Sequence, residues 1–142
     1  MNSGPPVGVA VAVVTGVLNN LGGVALERRD LPQVQAFFRE SLMQRQAVGD
    51  KAGVAECLEG LAAVAVQQTQ PYRSGQLYGT AAALRENVGA PLPPASEAMN
   101  QQYASEAQAQ LGTAAWAETF AAGRALSLGQ AVADALEAID HY

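Results

Sequence analysis

Shifted by forty positions, this chain of 142 residues lies on itself, and that internal repeat constrains the fold more than any other feature. Leu18, Leu21, Val24 and Ala25 recur as Leu58, Leu61, Val64 and Ala65; downstream, Phe38 falls on Tyr78 and Ser41 on Ala81. Each unit is two apolar-striped segments joined by a short polar turn. The stripes have helical period. Val14, Val17, Leu18, Leu21, Val24 and Ala25 follow i, i+3, i+4, i+7 spacing, and Leu31, Val34, Phe38 and Leu42 do so again. Val54, Cys57, Leu58, Leu61, Val64 and Ala65 repeat the pattern, followed by Leu77, Tyr78, Ala81, Leu84 and Val88. A unit of this kind buries its stripe only against neighbours, so the units are expected to stack.

The repeat also settles an ambiguity at VLNNLGGVAL, residues 17–26, whose Asn-Asn and Gly-Gly pairs are the vocabulary of turns and phosphate loops. The second copy places Ala62-Ala63 at the glycine pair and keeps Leu61 and Val64 in phase, which favours a helix because alanine is the best helix former. Helix-ending residues frame the rest. Asp30 caps a helix opening at Leu31-Pro32 and Gly49 closes it; Asp50 caps the next; Pro71 opens the fourth and Gly89 ends it. The stretch 90–94, Ala-Pro-Leu-Pro-Pro, is the internal boundary. Beyond it, Ser96 caps a segment through Leu111, Thr113 starts a shorter helix that Gly123 ends, and Ser127-Leu128-Gly129-Gln130 has capping-box form. The expectation is an all-α chain of seven helices in one domain: repeat 1 over 8–49, repeat 2 over 50–89, a proline-rich linker over 90–94 and three capping helices over 95–142.

Bulk properties narrow the partners. The formal charge is −5, and residues 90–142 hold six acids against Arg124 alone. No concentrated basic patch is present to displace counterions, so direct nucleic-acid binding is not expected. Cys57 is the single cysteine, which excludes an intrachain disulfide and fits a reducing, cytoplasmic setting. VGVAVAVVTGVL, residues 7–18, is strongly apolar, but it is too short to span a bilayer and no Lys or Arg precedes it. Neither a membrane anchor nor a secretion signal is expected.

These residues resemble the tetratricopeptide repeat. Leu21-Gly22-x-x-Ala25 is similar to that family's Leu-Gly-x-x-Tyr signature, and Val34-x-x-x-Phe38 to its Ala-x-x-x-Phe. More narrowly, LNNLGGVALERRDLPQVQAFFRESL, GDKAGVAECLEGLAAVAV, LYGTAAALRENVGAPLPP and AWAETFAAGRALSLGQAVADALE resemble the carboxyl-terminal helical region of LuxR-type and AfsR-type bacterial regulatory ATPases. The resemblance implies an α-solenoid of two antiparallel helix pairs, serving as a non-catalytic protein-interaction or sensory module of a transcriptional or signalling regulator. Departures are specific. Arg29 and Thr69 stand where a turn glycine is usual, so these residues must accept positive φ at about 1 kcal/mol each. Ala62 replaces the signature glycine and Ser74 the signature alanine of the second unit. No Gly-x-x-x-x-Gly-Lys-Ser/Thr loop and no helix-turn-helix reader occurs in the sequence, so the ATP and DNA activities of such regulators are not expected of these residues.

The resemblance also implies a concave wall built by the first helix of each pair. It would expose Asn19, Asn20, Gly23 and Glu27 in the first unit and Glu56, Glu59, Ala63 and Gln67 in the second. Amides suit a peptide backbone, and carboxylates suit basic side chains, so a peptide or partner protein is the expected ligand. A small-molecule effector in the same groove is the alternative, and a hydrolase or transferase a distant one. Glu56 and Glu59 at i, i+3 are read as a solvated face, because neither stands in an apolar setting. His141 is the only histidine, Cys57 falls on an apolar stripe, and Trp116 and Phe120 at i, i+4 read as a core pair; no catalytic residue, metal site or cofactor is predicted. Because the chain begins with its most apolar segment, a homodimer through Val11, Val14, Val17 and Leu18, or continuation into a longer array, is expected.

Overall fold

The computed structural model describes residues 31–140. Over that span the chain forms six α-helices and no strand: α1 Leu31–Ala47, α2 Lys51–Gln67, α3 Pro71–Val88, α4 Pro94–Leu111, α5 Thr113–Arg124 and α6 Leu128–Ile139. The helix predicted ahead of α1, with VLNNLGGVAL and the cap at Asp30, lies outside the described residues.

The helix ends follow the local chemistry. Asp50 accepts a hydrogen bond from the Gly53 amide at 2.9 Å and holds Arg45 at 2.7 Å, so one carboxylate fastens the end of α1 to the start of α2. Gly49 and Gly89 take φ of +72° and +64°, the left-handed conformation that glycine adopts without penalty. Thr69 has the same task without the same freedom: between α2 and α3 it sits at φ +57°. Ser127 and Gln130 form the reciprocal capping box, each backbone N–H donating to the other's side chain at 3.2 Å.

Two predicted boundaries need correction. Helix α4 starts at Pro94, with Pro93 rather than Ser96 as the flanking residue. A proline in the first turn loses no hydrogen bond, so part of the expected linker serves as a helix start. Helix α5 ends at Arg124, one residue past the expected Gly123, which is buried in its last turn.

Packing centres on α2. From Val54 through Val66 it is buried on every side except at Glu56, as expected for a helix that is apolar all round. Leu58, Leu61 and Val64 are fully enclosed, and Phe38 and Leu42 of α1, Tyr103 of α4 and Ile139 of α6 belong to the same core. Each such side chain contributes about 1.5–3 kcal/mol relative to exposure. The repeat-related pairs Phe38 and Tyr78, and Ser41 and Ala81, are all buried, so the two copies share an inside face.

The most extensive contacts join α2 to α3 and α3 to α5. The second depends on glycine. A Cβ on Gly79 would strike the Phe120 carbonyl, one on Gly123 the Gln76 carbonyl, and one on Gly75 the Thr119 methyl. Thr80 then bridges the two backbones, donating to the Gly123 carbonyl at 2.8 Å. Helix α6 reaches back to α1, α2 and α3. There Gln35 donates to the Ile139 carbonyl and Arg39 pairs with Asp140. The described helices thus close on one another rather than each meeting only its neighbours along the chain.

Candidate functional site

Helices α2, α3, α4 and α5 leave a groove of about 270 Å³ between them. Its deepest polar element is an ion pair. Glu59 of α2 and Arg85 of α3 meet in a two-point contact, Nε to Oε2 at 2.6 Å and Nη2 to Oε1 at 2.8 Å, with both side chains largely buried. Arg85 Nη1 also donates to the Ala90 carbonyl at 3.2 Å, which ties the proline-rich connection to the same point. This planar fork fixes geometry as well as charge. Because its guanidinium is shared between Glu59 and a carbonyl, Arg85 is not presented as a bare cation.

The walls are aromatic. Tyr78 of α3 and Trp116 of α5 have ring centroids 6.4 Å apart at 56°, and Trp116 and Phe120 are 6.0 Å apart at 38°, the tilted arrangements that the ring quadrupole favours. Trp116 reaches this place because Gly75 has no Cβ: one built there would lie 3.3 Å from the indole ring. Leu92, Glu97, Asn100 and Gln101 line the more open side. The Tyr78 hydroxyl is enclosed and has no hydrogen-bond partner among the described residues. Burial first, and then the nearby Glu59 carboxylate, push its phenol above the ordinary range, so it is a protonated donor at neutral pH.

The predicted residues fall in three places. Asn19, Asn20, Gly23 and Glu27, the interface set Val11, Val14, Val17 and Leu18, and His141 lie outside the described residues. Glu59 and Ala63 are buried, at 6% and 1% exposure, so Glu59 is on no solvated face and its carboxylate is already bound. Glu56 and Gln67 are half-buried. Glu56 is not on a freely solvated face either: burial first, with Glu59 and Asp50 adding to it, raises its carboxyl pKa against the opposing pull of Arg45 and Arg85. Gln67 hydrogen-bonds the Tyr103 side chain. Trp116 and Phe120 pack against the core as expected and, in addition, line the groove.

Cys57 is buried, and its thiol is pushed up to about 12, first by desolvation and then by Glu56. No group of three His, Cys, Asp or Glu residues among those described is placed to hold a metal ion. A second hollow of about 230 Å³ between α3 and α6 has Arg73, Asp134 and Glu137 around it and no aromatic residue among the described residues that line it.

In the sequence Tyr78 stands out only as a stripe residue, and Arg85 does not stand out at all. The 26-residue separation of Glu59 from Arg85 obeys no local spacing rule. The glycines at 75 and 79 were a usable signal, since i, i+4 places two small residues on one helix face. No family model, curated protein or solved structure matches the chain.

Proposed function

We propose that the chain is a non-catalytic recognition module, similar to the sensory arm of a bacterial transcriptional or signalling regulator, which captures a peptide segment or partner protein. In this reading α2 and α3 are the second of two tetratricopeptide-like helix pairs, and α4 to α6 complete the array. The observation that carries it is the groove. An apolar hollow with aromatic walls and a few fixed polar groups is the form that recognition sites take. Its size suits one large side chain of a longer ligand, and the amides of Asn100 and Gln101 are beside it to meet a backbone.

The chemistry of the side chains supports a binding role over turnover. The thiol of Cys57 is buried and held protonated, and the Glu59 carboxylate is locked in its pair with Arg85, so neither is free to act as nucleophile or base. Panning a displayed random-peptide library against the chain tests the proposal. Enrichment of peptides sharing a large uncharged residue supports it; no enrichment beyond that for an unrelated helical protein counts against it. The same reading includes a homodimer through Val11, Val14, Val17 and Leu18. Light scattering at tens of micromolar is expected to give a dimeric mass, and a monomer would remove that part.

A further inference from the structure

The charges that line the groove do not balance. Glu59 and Arg85 cancel in their two-point pair, and Arg85 gives a further donor to the Ala90 carbonyl. What is left is Glu97, exposed on the open side, whose carboxylate has no ion-pair or hydrogen-bond partner among the described residues. Helical spacing sets its place: Glu97, Asn100, Gln101 and Ala104 stand at i, i+3, i+4 and i+7, so they share one face of α4, and all four line the groove. Glu106 falls on the opposite face of that helix. Arg124, the one arginine after position 90 and with no lysine there, is taken up by Glu86.

Size and charge together define the occupant. A hollow of about 270 Å³ is smaller than the roughly 300–1,000 Å³ of small-molecule sites, so it takes one side chain, and the rest of the ligand lies across the rim that α4 provides. An acidic segment there would be repelled by Glu97, whereas a basic one would be steered to it and fixed in register.

We propose that the groove receives a basic segment of a partner protein: a large apolar side chain enters beside Trp116, Phe120 and Ala82, and a lysine or arginine close to it in the segment pairs with Glu97. The inference rests on reading the groove as a recognition site and adds the partner's charge to that reading.

Trp116 is the only tryptophan of the chain, so its emission reports on the groove directly. A displayed random-peptide library panned on the wild type at low salt is expected to enrich peptides that combine a large apolar residue with a nearby lysine or arginine. Panned on Glu97→Lys, it is expected to lose the basic preference. One enriched peptide and its counterpart with the basic residue changed to glutamine then form a double-mutant cycle with the wild type and Glu97→Gln. The basic peptide is expected to bind the wild type about two- to fivefold more tightly than Glu97→Gln, as a rim ion pair implies, while the glutamine peptide binds both alike. Glu106→Gln removes the same charge from the far face of α4 and is expected to change neither affinity.

Enrichment without a basic preference overturns the inference alone. So does equal weakening of both peptides by Glu97→Gln, or a loss as large in Glu106→Gln. Peptides that bind without moving Trp116 emission, or no enrichment at all, overturn the recognition reading as well.

Discussion

Glu59 and Arg85 show how little a residue's type says about its environment. Both are charged, Glu59 was expected on a solvated face, and together they form a largely buried ion pair in the wall of the groove. Removing one member leaves the other charge buried and unpaired, which costs about 3–5 kcal/mol, whereas replacing both by apolar residues of similar size is often neutral. Arg85→Ala is therefore expected to lower the urea midpoint steeply, with Glu59→Leu/Arg85→Met recovering most of it; equal loss in both variants would contradict the pairing. Cys57 makes a separate prediction. Its folded thiol titrates near 12 against an ordinary 9.0, so between those values the unfolded chain loses its proton while the folded chain keeps it. The contribution is whole below pH 9.0 and is lost as pH rises toward 12, and unfolding midpoints should fall across that window. A Cys57→Ala variant should show a smaller fall over the same range. At neutral pH a thiol reagent should label the chain only after denaturation.

At the scale of elements, most of the helices were legible because their signals are local. The apolar stripes, Gly49, Asp50, Pro71, Gly89 and the Ser127–Gln130 box each act within a turn of where they stand, and each is found in its expected role. The misplacements share a cause. Pro94 and Gly123 were read as breakers from residue type, but proline is tolerated in a first turn, and a glycine inside a helix can be required by a neighbouring backbone. That requirement is invisible until α5 is known to lie on α3. It also sets the sharpest packing test. At Gly79 the obstruction is the Phe120 carbonyl, which cannot rotate aside as a flexible side chain would. Gly79→Ala should destabilise by about 3 kcal/mol despite the better helix propensity of alanine. A neutral or stabilising effect in thermal melts would mean that α3 and α5 are not so closely apposed.

For the molecule as a whole, the all-helical class and the inside face of the repeat could be read from period alone. The candidate site could not. Its walls come from four helices, and its polar residues are brought together by pairings far apart in sequence, such as Glu59 with Arg85 and Tyr78 with Trp116. The concave wall expected along α2 is instead largely core. Recognition is therefore assigned to the neighbouring groove, where Ala82 is a half-buried lining residue. The most direct test is the binding isotherm of a library-enriched peptide, measured by fluorescence anisotropy on the wild type and on Ala82→Trp, whose indole would fill the hollow. The account predicts that Ala82→Trp keeps the helical circular dichroism of the wild type and binds the peptide at least about tenfold more weakly, as expected when an anchor loses its pocket. Equal affinity in the two proteins would contradict it.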